Sequence, residues 1–378
     1  MTGVLSFMRA SGRRVLRAAF ASLAVVSGAV VAPVQAAAPA KDTYQIGVYY
    51  YPGWSPEIKG PKTPDTWNDI RRFPEREPAL GWYHDGRKST LDQQLKWMAD
   101  HGIDFTVFDW YWEHGRPAKE TSVRAYLESD QRNRVRYALM WANHTAEPRS
   151  LAEWDDLSDF WIGNHLKNPE YLRVDGKPVL IIFSPEVLQA QAKAIGRPVP
   201  ELLDRTRARA RKAGLPGVYF VLCVPAMEFW VKGFAPGAGF DALTAYNYHF
   251  GVEGDPARRT RPSESFEELD QGYRMQWKWI LANSPLPYFV PMTSGWDRQP
   301  WAENGRRTKH DDSMSTPFEF EAHLRAGKAV MDAHPDKTRR IGIVCCWNEY
   351  GEGSYIEPTR RHGTQYLDQV LKVYGGGN

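Results

Sequence analysis

Arg340-Ile341-Gly342-Ile343-Val344-Cys345-Cys346-Trp347-Asn348-Glu349-Tyr350-Gly351-Glu352-Gly353-Ser354-Tyr355-Ile356-Glu357-Pro358 is the stretch whose reading decides the fold. Its first seven residues form a short, mostly apolar run, as a strand covered on both faces would. The remaining residues are polar, aromatic and glycine-rich, with two carboxylates three residues apart. A strand that ends in Trp-Asn-Glu and turns through Gly351 and Gly353 holds its acids at a C-terminal rim, above a cleft rather than in the core. Two solvated acids in a surface loop would look the same in isolation, so the rest of the chain must decide.

Upstream of this stretch, strand-like and helix-like segments alternate. Strands are expected at Gln45–Tyr51, Ile103–Trp110, Val135–Trp141, Val179–Phe183, Val218–Val224, Ala242–Asn247, Tyr288–Met292 and Ile341–Cys346. Helical patterns lie near residues 89–101, 151–166, 199–213, 266–281, 317–333 and 365–374. Leu91, Leu95 and Met98 give the first of these its apolar face, and Gly102 is its C-cap candidate. Asp175-Gly176 reads as the turn of a hairpin leading into the fourth strand. Eight alternations predict an α/β chain forming a single (β/α)8 TIM barrel with elaborated βα loops.

Residues 1–36 carry Arg9, Arg13, Arg14 and Arg17 and no acid, ahead of a small-residue apolar run from Ala18 to Val34 and the triplet Val34-Gln35-Ala36. This pattern predicts a secretory signal peptide, export to the periplasm or the extracellular space, and a catalytic domain over residues 37–378. Loss of those four arginines lowers the formal charge from +3 by four, to −1, a balance that calls for no nucleic acid. No stable membrane association is expected once the leader is cleaved. Cys223, Cys345 and Cys346 all sit in apolar strand-like runs. Neighbours in one strand face opposite ways, so Cys345 and Cys346 are not expected to bond. No HExxH, paired CxxC or acid-rich calcium loop occurs, so neither a metal nor another cofactor is expected.

The residues just after the predicted strands form a pattern stronger than any one member. They include Tyr50, Tyr51 and Trp54; Asp109, Trp110, Tyr111 and Trp112; Trp141, Asn143 and His144; Tyr246, Asn247, Tyr248 and His249; Ser294 and Trp296; and Trp347 and Asn348 beside Glu349 and Glu352. Aromatic faces bind the CH faces of sugar rings, and side-chain amides and carboxylates bind their hydroxyls. An oligosaccharide or polysaccharide is therefore the expected partner, although each aromatic taken alone would more often be packing. Glu357, followed by Pro358, is expected to be structural or to bind at the rim.

The segments Tyr49-Tyr50-Tyr51-Pro52-Gly53-Trp54, Gly102–Trp112 and Trp347-Asn348-Glu349-Tyr350-Gly351-Glu352-Gly353 resemble glycoside hydrolase family 99-like proteins. That group includes endo-α-mannosidases, endomannanases and WbsX-type relatives described as glycosyltransferases of surface-polysaccharide loci. The likeness runs from the first strand to the eighth. It implies a (β/α)8 fold and retaining, endo-acting cleavage of an α-mannosidic or related bond. Carried over by position, Glu349 is the base that deprotonates the sugar 2-hydroxyl and Glu352 the general acid and then base. A pocket lined by Trp347, Tyr350 and Tyr355 would raise the acid's pKa by desolvation. Position 350 is Tyr where many relatives carry Trp. The alternatives are a glycosyltransferase or transglycosylase and a non-catalytic glycan-binding barrel.

Overall fold

The computed structural model describes residues 43–56, 65–248, 265–301 and 312–375. The predicted leader and His249 lie outside the described residues. Ala38–Asn378 is one compact unit. Its centre is a ring of eight parallel strands: β1 Gln45–Tyr50, β2 Phe105–Glu113, β3 Arg136–Trp141, β4 Lys177–Ile182, β5 Tyr219–Cys223, β6 Ala242–Thr244, β7 Val290–Thr293 and β8 Ile341–Cys345. Each pairs in parallel with its sequence neighbours, and β8 pairs with β1, with Gln45 opposite Ile341. A parallel bridge between Leu243 and Tyr288 joins β6 to β7 and closes the ring. The fold is the (β/α)8 barrel that the alternation predicts.

Among the described residues, eight helices of eight or more residues follow the strands: α1 Lys88–Asp100, α2 Thr121–Glu128, α3 Leu151–Trp161, α4 Pro185–Ile195, α5 Val199–Lys212, α6 Phe266–Asn283, α7 Pro317–Ala333 and α8 Gln365–Tyr374. Ser150, Ser184, Ser265 and Thr316 cap α3, α4, α6 and α7 by accepting a backbone N–H three residues on. The helices α2 and α4 have no counterpart among the expected helices, although Ser184-Pro185-Glu186 is a start signal for α4 of cap, N1 proline and first-turn acid. The expected hairpin is present. Asp175 and Gly176 have φ of 50° and 76°, and Arg173–Val174 pairs antiparallel with Lys177–Pro178.

One sequence expectation is corrected at the end of β8. Cys345 and Cys346 are disulfide-bonded. The rule of opposite strand faces does not apply to them, because β8 stops at Cys345 and the two residues do not share a strand. Cys223 is free and buried in β5.

Candidate active site

Beyond β8 the chain folds back as a two-stranded antiparallel hairpin, with Asn348 opposite Tyr355 and Glu349 opposite Ser354. Glu352 sits in its turn. Gly353, at φ 69°, occupies the left-handed region, and the Asp297 backbone lies against it. Asp297 N–H donates to the Glu352 carbonyl, tying the turn to the loop after β7. Beneath the hairpin, the buried Arg76 guanidinium donates to Asp297 Oδ2 at 2.6 Å and to the Tyr350 carbonyl at 2.7 Å.

A cleft of about 700 Å³ opens over the C-terminal ends of the strands, and Glu349 and Glu352 both line it. Asp109, Tyr51, His144, Tyr246, Asn247, Tyr248 and Trp296 join them, as expected from sequence. The Tyr246 hydroxyl lies 3.1 Å from Asp109 Oδ2 and 3.0 Å from Glu349 Oε1. Asp109 Oδ1 and Glu349 Oε2 have no hydrogen-bond partner among the described residues. Burial pushes the Glu349 carboxyl up to about 8, against the opposing pull of the Tyr246 hydrogen bond and the Lys119 charge. Burial also lifts Glu352 well above the carboxylate range; the Glu349 charge adds to this and Arg298 opposes it. Asp109 is raised well above its ordinary value by burial and then by Glu349.

Other sequence candidates fall outside the cleft, and the reason is the two-residue period of a strand. Along β2, Asp109 and Tyr111 face the cleft, whereas Trp110 and Trp112 stack on each other with ring centroids 5.7 Å apart and pack on Phe160. Met140 and Ala142 line the cleft, but the intervening Trp141 packs on Trp154 and Trp161. Tyr50 is buried and donates to Gln94 of α1. Trp347 is fully buried in the main core. These five aromatics support the barrel wall and are not sugar platforms.

The two candidate asparagines outside the cleft act as backbone clamps. Asn348 accepts from Tyr51 N–H and donates to the Tyr51 carbonyl, pinning the loop after β1, and its own carbonyl accepts from Trp54 Nε1. Trp54 is thereby buried, stacked on Trp67. Asn143 makes the same two-way contact with Ser184, the cap of α4. Tyr350 and Tyr355 are buried with Trp54 in a second core beneath the hairpin, so the expected Trp347, Tyr350 and Tyr355 lining is corrected. Glu357 is buried in that layer, accepting from Tyr83 at 2.7 Å, Gln94 at 2.7 Å and Tyr350 at 2.8 Å. It is structural.

Sequence reasoning missed Lys119, Arg298, Trp301 and Phe183, all lining the cleft. Lys119 arrives just after a short strand, Arg116–Ala118, folded back on β2, and its ammonium sits over the rings of Tyr51 and Tyr111. Period-two reading of Asp109-Trp110-Tyr111 could have singled out Tyr111 as Asp109's cleft-facing partner. No comparable signal marks Lys119, Arg298 or Trp301.

Fold and site together define a class: a (β/α)8 barrel with a carboxylate-lined, aromatic-walled cleft at the C-terminal ends of its strands. Residues 71–370 match the family described as Glycosyltransferase WbsX, and the chain belongs to that family. It is 23% identical over 326 residues to the WxcX protein of Xanthomonas campestris pv. campestris, covering 79% of this chain and 43% of that one. The chain thus spans less than half the length of this curated relative. The barrel is similar to a solved glycoside hydrolase-like protein, with TM-score 0.66 and 15% identity, covering 88% of this chain and 94% of the other. It is also similar to the GH99 endo-alpha-mannosidase of Bacteroides thetaiotaomicron, with TM-score 0.62 and 15% identity over 87% and 95% of the two chains. The fold is that of a GH99-like protein.

Proposed function

We propose that this protein is an exported, retaining glycoside hydrolase that cuts within an α-mannoside-type or related α-linked glycan. The observation that carries the reading is the hairpin of Asn348–Tyr355, which brings Glu349 and Glu352 into one cleft beside Tyr246 and Asp109. In the first step Glu349 takes the proton of the sugar 2-hydroxyl while that oxygen attacks the anomeric carbon. The bond to the leaving glycan breaks, and its oxygen takes the proton of Glu352. In the second step Glu352 deprotonates water, which attacks the anomeric carbon. The bond to the 2-oxygen breaks, and that oxygen recovers its proton from Glu349, so both residues return to their starting forms.

Burial supports this division of labour. A carboxyl lifted well above its ordinary range keeps its proton to higher pH, as the acid Glu352 must, and Glu349, raised to about 8, is once ionised a stronger base than a free glutamate. The arginine-bearing leader supports export and a mature domain over residues 37–378. The family description favours a second reading, transfer of a sugar from an activated donor. An incubation of residues 37–378 with α-mannans and bacterial polysaccharides, with and without sugar nucleotides, separates the two. Oligosaccharides released by the wild type without nucleotide, and not by Glu349→Gln or Glu352→Gln, are the expected result. Product that forms only with a sugar nucleotide sinks the hydrolase reading.

A further inference from the structure

A phenol has one proton to give, yet the Tyr246 hydroxyl lies at hydrogen-bond distance from two carboxyls, Asp109 Oδ2 at 3.1 Å and Glu349 Oε1 at 3.0 Å. With both carboxyls ionised, one of those contacts would set lone pair against lone pair between buried anions. The arrangement is satisfied when one carboxyl is protonated and donates to the tyrosine oxygen while the tyrosine donates to the other.

We propose that Asp109 and Tyr246 are positioning residues for Glu349: the three groups hold one carboxyl proton in common, kept on Asp109 Oδ2 and relayed as a hydrogen bond through Tyr246, so that Glu349 is the ionised member. The nearby cation does not choose between the two carboxyls. Lys119 acts on both and sits over the ring of Tyr111, whose residue neighbours Asp109 on the cleft face of β2. Burial raises both carboxyls, and the Glu349 charge raises Asp109 further, which favours the proton on Asp109. The other groups around the pair are Glu352, with Arg298 acting on it, and the neutral Tyr49, Tyr51, Tyr111 and Cys223.

The consequence for turnover rests on the glycosidase reading; the shared proton does not. Glu349 Oε1 is engaged by Tyr246, and Oε2 is the oxygen left to accept a proton from a sugar hydroxyl. If the proton moves from Asp109 through Tyr246 to Glu349, the base is spent before substrate arrives.

The test is a carbon-13 NMR titration of the side-chain carboxyls in the full chain, which needs no substrate. In the wild type the Asp109 and Glu349 carbons are expected each to report both of two linked titration steps. Glu349→Gln is expected to lower the Asp109 midpoint by about one pH unit or more, tenfold in proton affinity, whereas Asp109→Asn, which keeps a neutral donor toward Tyr246, is expected to leave the Glu349 midpoint in place. Tyr246→Phe removes a donor to ionised Glu349 and is expected to raise its midpoint. Independent single steps in the wild type, an Asp109 midpoint unmoved by Glu349→Gln, or a Glu349 midpoint that falls by a unit or more in Asp109→Asn, overturns the proposal. On any glycan the enzyme cuts, Tyr246→Phe should move the acid limb of kcat/KM to higher pH, whereas Asp109→Asn should leave it in place. A loss of rate in Tyr246→Phe with an unmoved limb would leave that residue merely structural.

Discussion

Replacing Glu357 with alanine tests how the layer beneath the hairpin is held. Three donors, Tyr83, Gln94 and Tyr350, converge on this one buried carboxyl. Each hydrogen bond to a charged acceptor contributes about 1.5–3 kcal/mol, and a donor left buried without a partner forfeits it. Against this stands the cost of burying the charge. Desolvation raises the carboxyl from 4.5 to about 7 despite those donors, so the ionised form costs about 3 kcal/mol at pH 8. The expected net loss for Glu357→Ala at pH 8 is therefore about 3 kcal/mol. With ~0.7 kcal/mol/K of unfolding entropy for about 340 residues, that is a fall of about 4 °C in Tm.

Glu357→Gln isolates the charge. The glutamine carbonyl still accepts from the tyrosines, and rotation of the Gln94 amide turns its oxygen toward the new donor and its nitrogen toward Tyr50. Because the folded-state pKa lies above the unfolded one, the contribution of Glu357 to stability is greatest below about 4.5. That contribution falls as pH rises toward 7 and is level beyond. The Gln variant lacks this titration. Between pH 5 and pH 8 it should gain about 2.5 kcal/mol relative to wild type, read by urea unfolding at the two pH values. Parallel pH dependence of the two proteins would refute the argument.

Four further outcomes are expected. Glycan cleavage should follow a bell-shaped pH profile whose acid limb, set by the raised Glu349 carboxyl, lies well above the ordinary carboxylate range; an acid limb below pH 5 would contradict the role of burial. Lys119→Met removes a charge that favours ionised Glu349 and should move the acid limb to higher pH by roughly half a unit, seen in kcat/KM profiles. Arg76→Met leaves Asp297 without its buried cation and should cost about 3 kcal/mol in urea unfolding, with a loss of less than about 1 counting against the staple. Gly351→Ala places a methyl group against the Trp301 indole, a cleft wall, and should raise KM more than it lowers kcat.

Much of this protein was legible in its sequence because local periodicity is enough to specify a barrel. Alternating apolar strands and capped amphipathic helices leave few other ways to bury both faces of eight parallel strands. The hairpin acids were legible too, since Gly351 and Gly353 mark the turn that carries them. Which strand-end aromatics enter the cleft was less so. Trp110, Trp112 and Trp141 look as exposed in sequence as Asp109 and Tyr111, and only the strand phase sends them outward. Nor did local sequence reveal that Asn348 and Asn143 act as backbone clamps, because their partners Tyr51 and Ser184 lie 297 and 41 residues away. Tertiary structure alone decided the company that Glu349 keeps. Closing the ring brings Tyr246 of the β6 loop, Asp109 of β2 and Lys119, just after a folded-back strand, around one carboxyl. The sequence determined that the chain carries acids at a barrel's rim, and closure of the ring decided which distant neighbours are buried with them.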